Sequence, residues 1–136
     1  MQMAEAMDPQ VIPAVEIEEE LLTEAKVQID VERQVIVHVV IHTGHQWWQL
    51  RIWPTTFLIP REGGDRSKLL SADNIPCFPQ WLHVFGPVHR FTLIFEGLPK
   101  DCEVFDLMEE IPQEGGFEVK GICRNQTDVY HVEIFD

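Results

Sequence analysis

Basic residues are scarce: ten Lys and Arg stand against 23 Asp and Glu, a formal net charge of -13. A field of that sign repels phosphate backbones, and the ten cations form no patch that could reverse it locally. The tightest group, Arg61, Arg66 and Lys68, shares its loop with Glu62 and Asp65. Nucleic acid is therefore excluded as an expected partner. Cysteine is sparse as well, and Cys77, Cys102 and Cys123 are odd in number and widely spaced. That usage argues against a disulfide framework and for thiols kept reduced, so a cytoplasmic location is expected. Long apolar runs are missing; residues 35–41, interrupted by His38, are too short to cross a bilayer, and membrane insertion is not expected. Residues 1–12 lack the basic and apolar regions of a secretory signal.

Signatures of chemistry are also missing. There is no Cys-x-x-Cys and no His-x-His. His38 and His42 share a strand face, but four residues of extended chain put them about 13 Å apart, too far for one ion. A metal site assembled from His83, His89 and Cys77 is the remaining option, against the plainer reading of ordinary surface histidines. No nucleophile elbow surrounds a Ser or Cys. Gly63-Gly64 and Gly115-Gly116 are turn glycines without the Lys-Ser/Thr of a phosphate loop. The acids Asp101, Glu103, Asp106, Glu109, Glu110 and Glu114 lack calcium-loop spacing and read as a solvated face. The expectation is a non-enzyme without cofactor or metal.

What the chain does contain is alternation. Residues 35–43 place Val35, Val37, Val39 and Ile41 on one face and Ile36, His38, Val40 and His42 on the other, as a strand covered on both sides would. Residues 27–31 alternate too and read as its hairpin partner. In residues 47–53, Trp48, Leu50 and Ile52 point inward while Trp47, Gln49, Arg51 and Trp53 share the opposite face. Residues 55–59 and 66–72 are further strands, and residues 91–95 alternate clearly. Residues 73–87, with three prolines and Phe78, Trp81 and Phe85, read as a long connection whose aromatics cap one end of the core. Residues 102–110 break the period and fit one or two helical turns. Residues 117–123 and 129–135 then form a terminal strand pair. The expected fold is an all-β, antiparallel sandwich of seven to eight strands with one short helix, a small closed barrel being the main rival.

The first 24 residues form a separate, acidic extension with seven acids and no base, ahead of a folded domain at residues 25–136. Within it Ile17, Leu21 and Leu22 are apolar anchors among acids, which a purely solvating tail would not need.

Residues 88–110 read Val-His-Arg-Phe-Thr-Leu-Ile-Phe-Glu-Gly-Leu-Pro-Lys-Asp-Cys-Glu-Val-Phe-Asp-Leu-Met-Glu-Glu. This segment resembles one in small uncharacterised bacterial immunoglobulin-like β-sandwich proteins, where Phe-Thr-Leu-x-Phe leads through Leu-Pro-Lys into Phe-Asp-Leu-x-Glu. Residues 53–75, with Pro54-Thr55-Thr56 and the run from Lys68 to Ile75, are similar to the preceding part of the same proteins. The likeness spans roughly residues 50–135; it implies an immunoglobulin-like sandwich and no activity.

Function is thus sought in a surface. Trp and Arg are enriched at interface hot spots, so the shared face of Trp47, Arg51 and Trp53, with Ile17, Leu21 and Leu22, is the expected contact region for a protein partner. The corresponding function is a non-catalytic protein-binding or accessory-subunit domain of a larger assembly. The alternative is a small-molecule or carbohydrate-binding domain that uses the same tryptophans as a stacking platform, and a plainer reading has this face covered within the chain.

Overall fold

The computed structural model describes residues 33–136, and the extension with Ile17, Leu21 and Leu22 lies outside them, as do residues 27–31. Nine strands follow one another: β1 (Val35–His42), β2 (Trp47–Leu50), β3 (Thr56–Pro60), β4 (Ser67–Asp73), β5 (Leu82–Phe85), β6 (Val88–Phe95), β7 (Val104–Glu109), β8 (Glu118–Cys123) and β9 (Val129–Phe135). Seven of them form one sheet in the order β8-β7-β3-β4-β6-β1-β9, and β2 and β5 form a separate two-stranded ribbon.

The large sheet is mixed and curls until it is nearly closed like a barrel. Pairing is antiparallel except between β1 and β9, which run parallel with Val37 opposite Tyr130. Curling lets the ring of Phe105 on β7 meet Tyr130 on β9 edge-on at 5.0 Å, although four strands separate the two in the sheet order. The strict two-residue period of β1 sets the interior: Val35, Val37, Val39 and Ile41 are all buried, with Leu58, Leu93, Phe95, Phe105 and Leu107 against them. Each fully buried side chain of this size contributes roughly 1.5–3 kcal/mol.

Three expectations change here. Residues 104–109 are a strand, not helical turns, because Phe105, Leu107 and Glu109 alternate inward; Glu109, an acid at a core position, hid that period. The last two strands do not pair with each other: β8 joins β7, and β9 joins β1. The expected all-antiparallel pairing becomes mixed, in one curled sheet plus a ribbon, since the parallel β1–β9 pair brings the chain's end back beside β1.

A β-bulge bends β8: Phe105 faces Ile122 but Leu107 faces Val119, which inserts one residue on β8 where Gly121 takes a positive φ of 72°. The Asp106 carboxylate accepts the Gly121 N–H at 2.8 Å and the Arg61 Nε–H at 3.0 Å, fixing the kink.

One end of the barrel is closed by Asp128, whose side chain is fully buried. Arg124 binds both of its oxygens, at 2.7 and 3.1 Å; Arg33 Nε donates at 3.1 Å and the Tyr130 hydroxyl at 2.8 Å. Burial alone pushes the Asp128 carboxyl up, but the Arg124, Tyr130 and Arg33 donors outweigh it and hold it below the usual carboxylate range. Tyr130, desolvated and beside that carboxylate, is pushed up to about 12. Removing one partner of a buried pair strands the other charge, so Asp128→Ala is expected to cost about 3–5 kcal/mol in urea unfolding at neutral pH. Its depressed folded pKa makes the Asp128 contribution fully present above the ordinary value of 3.8 and lost as pH falls through the folded value. Urea-unfolding stabilities of wild type and variant should therefore converge as pH is lowered; parallel curves against pH would contradict the assignment.

Candidate functional site

Beyond Leu50 the chain leaves the ribbon and Ile52 makes a parallel bridge with Cys77. Ile52 N–H donates to the Pro76 carbonyl at 2.9 Å, and Phe78 N–H returns to the Ile52 carbonyl at 2.8 Å. These two bonds, with the fully buried Ile52 side chain as anchor, lay residues 76–81 alongside residues 51–53. The consequence is an aromatic enclosure around Arg51. Its guanidinium carbon lies 3.8 Å from the Trp81 ring centre, 4.6 Å from Phe78 and 5.7 Å from Trp53. Arg51 also donates to the Pro79 carbonyl at 3.2 Å. Trp53 and Phe78 stack face to face at 4.0 Å with 7° between their planes. Contacts of the cation with ring faces are each worth about 0.5–2 kcal/mol, so Arg51 is held as a fixed strut.

Trp47 belongs elsewhere. On the ribbon it stacks on His83 at 5.9 Å, sits opposite Phe85, and is 55% exposed. Of the expected trio, the structure brings Arg51 and Trp53 together and leaves Trp47 apart with Phe85, itself 76% exposed. Trp48, on the inner side of the ribbon, packs on the core and donates its indole N–H to the Gly86 carbonyl at 2.8 Å. Inner and outer residues thus alternate: Trp48, Leu50, Leu82 and Val84 are covered to varying degrees, whereas Trp47, Gln49, His83 and Phe85 are exposed.

Between ribbon and barrel runs a cleft of about 360 Å³. Its floor includes Ile41, Trp48 and Phe117, and Arg51, Glu109 and Glu114 line its walls. Glu109 is buried and spans two segments, accepting the Trp53 N–H at 3.0 Å and the Phe117 N–H at 3.3 Å. Burial pushes its carboxyl above the usual range, against the two backbone donors and Arg51, which pull it down. Gly116 permits this approach, because a Cβ there would clash with the Glu109 carbonyl.

The sequence reading missed Phe78, Trp81, Phe85 and Glu109. For Glu109 the signal was its two-residue spacing from Phe105 and Leu107; for Phe85, the alternation with His83 ahead of Gly86. Phe78 and Trp81 were placed as caps on the core, yet they are 37% and 48% exposed and enclose Arg51 instead.

Among the described residues no three His, Cys, Asp or Glu side chains are grouped to hold a metal ion. His89 instead meets the Asn74 carbonyl at 2.8 Å, Asp106 pairs with Arg61, and Glu110 pairs with Arg66. Cys102 is buried, and desolvation raises its thiol, whereas Cys77 and Cys123 are exposed. No helix among the described residues is long and apolar enough to cross a membrane. Compared with protein-family models, curated proteins and solved structures, the chain matches none of them.

Because the folded pKa of Glu109 is raised, the unfolded chain releases that proton first, and stability falls as pH climbs from the ordinary 4.5 through the raised folded value. One proton gives a slope of at most about 1.4 kcal/mol per pH unit. Glu109→Gln should flatten that slope in denaturant melts collected across the window. An unchanged slope would show that Glu109 is not the titrating group.

Proposed function

We propose that this chain is a non-catalytic binding module, an accessory part of a larger assembly, whose β2–β5 ribbon docks a protein partner. One observation carries the proposal: of the six large exposed hydrophobic side chains among the described residues, four, Trp47, Phe78, Trp81 and Phe85, lie on the ribbon or on the segment packed beside it. Scattered single apolar residues are normal on a surface, but a cluster of this kind marks a contact site. The eight ribbon residues include no Asp, Glu, Lys or Arg, in a chain that is 24% charged. Charge depletion with aromatic enrichment is the composition of an interface centre.

The carbohydrate alternative is weaker on geometry. A stacking platform from Trp47 and Trp53 needs both rings on one open surface, and here Trp47 stacks on His83 on the ribbon while Trp53 is half-buried against Phe78. The docking area therefore shifts from the Trp47, Arg51 and Trp53 face to Trp47, Phe85 and Trp81, with Arg51 and Trp53 supporting it from below. The net charge of -13 favours a partner of opposite sign and a protein over nucleic acid. The immunoglobulin-like likeness of residues 50–135 and a cytoplasmic setting remain parts of this proposal, supported by the sequence segments and the three unpaired thiols.

Affinity purification of the tagged chain from its native cells tests the reading. Trp47→Ala with Phe85→Ala should lose any stoichiometric partner by at least about tenfold, hot-spot truncation costing roughly 2 kcal/mol or more, at unchanged thermal stability. Retention of that partner by the double variant would overturn the proposal.

A further inference from the structure

The ribbon has an open edge as well as an open face. Gly86 N–H donates to the Gln46 carbonyl at 2.8 Å, and the register places Trp47 opposite Phe85 and Trp48 opposite Val84. In an antiparallel ladder this turns the backbone groups of Trp48 and Leu50 toward β5 and those of Trp47 and Gln49 away from it. The N–H and C=O groups of Trp47 and Gln49 take no hydrogen bond from any described residue. Natural edges are normally blunted by charge, bulges or cover. The outer strand β8 has both Lys120 and the bulge at Gly121, and the other outer strand, β9, carries Glu133. On β2, Trp-Trp-Gln-Leu, neither charge nor bulge is present.

The cleft runs along this strand. Trp48, Gln49, Leu50 and Arg51 line it consecutively, so both faces of the strand contribute, as they do for a slot beside an edge and not for a pocket over one face. Across it stand residues 111–117 and the end of β9. Three acids line the slot, Glu109, Glu114 and Asp136, against one cation, Arg51, which is already enclosed by aromatic rings and bound to the Pro79 carbonyl.

We infer that β2 is a strand-addition edge, and that its occupant is an extended segment of a partner protein carrying Lys or Arg at alternate positions with apolar residues between them. The main chain of that segment pairs with Trp47 and Gln49. Its basic side chains meet Glu114 and Asp136, and its apolar ones rest on the exposed aromatics. Backbone pairing supplies affinity and the alternate side chains supply specificity in this mode of recognition. The inference rests on the docking role of the ribbon and adds the mode of docking and the chemistry of the docked segment.

The probe is a blocked Lys-Val-Lys-Val-Lys-Val hexapeptide titrated to millimolar concentration into ¹⁵N-labelled protein, with a Glu-Val counterpart and a version N-methylated at alternate residues. Amide shifts centred on Trp47 and Gln49 are expected, with the glutamate peptide at least about tenfold weaker through repulsion by the lining acids. Gln49→Pro removes one outward N–H and no ribbon bond; it should weaken binding by about tenfold or more while leaving the spectrum of β5 in place. The N-methylated probe, which leaves the protein untouched, should lose binding equally and answers the same question if proline disturbs the fold. Binding that survives both changes, or no shift in β2 at all, overturns strand addition. Whether the ribbon docks a partner is decided separately by the Trp47 and Phe85 variants, so a failure of strand addition is distinguishable from a failure of the docking role.

Discussion

A buried carboxylate ties the segment leading out of the ribbon to the barrel. Glu109 ends β7 at a position that the strand period directs inward, where an apolar side chain would ordinarily stand. Placed there, its two oxygens gather the Trp53 and Phe117 amides, which belong to segments far apart in the chain. The first segment leads back through Ile52 to the Arg51 enclosure; the second closes the far wall of the cleft. Desolvating an acid is costly, and the hydrogen bonds return only part of that cost, as the raised carboxyl records. An acid retained on such terms fixes the separation of two walls in a way that packing alone would not.

The opposite end of the barrel uses burial differently. Asp128 is saturated by Arg124, Arg33 and Tyr130, so its charged form is favoured and the β8–β9 connection is rigid. Arg124 extends the tie to the carbonyls of Pro99 and Cys102. One end is thus a satisfied ionic lock, and the other an anchored but open cleft beside an aromatic ribbon. A scaffold rigid at one end and open at the other is suited to presenting a fixed surface, and the ribbon and the segment beside it hold most of the large apolar groups left exposed among the described residues.

The strict two-residue period of β1 was legible from sequence, and β3, β4 and β6 overlap the further stretches expected as strands, with inward residues of all four in the core. Position 109 was not legible, because an acid at a core position reads as the end of a strand or the face of a helix. Nor was the pairing of β9 with β1, which spans nearly the whole described chain and leaves no local mark. At the site, Trp47, Arg51 and Trp53 were found by residue type, but their grouping was set by the Ile52–Cys77 bridge, a contact between segments that no spacing rule encodes. The same bridge supplied Phe78 and Trp81 as the neighbours of Arg51.

The central claim is that the ribbon is a docking surface and other exposed apolar residues are not. Trp47 on β2 and Leu70 at the bulge of β4 are similarly exposed, 55% and 49%, which makes them a matched pair. A photo-crosslinking amino acid placed at each position in turn, in the native cell, tests the claim most directly. The account predicts a discrete protein adduct from position 47 and none from position 70; equal labelling from both, or an adduct from position 70 alone, would contradict it.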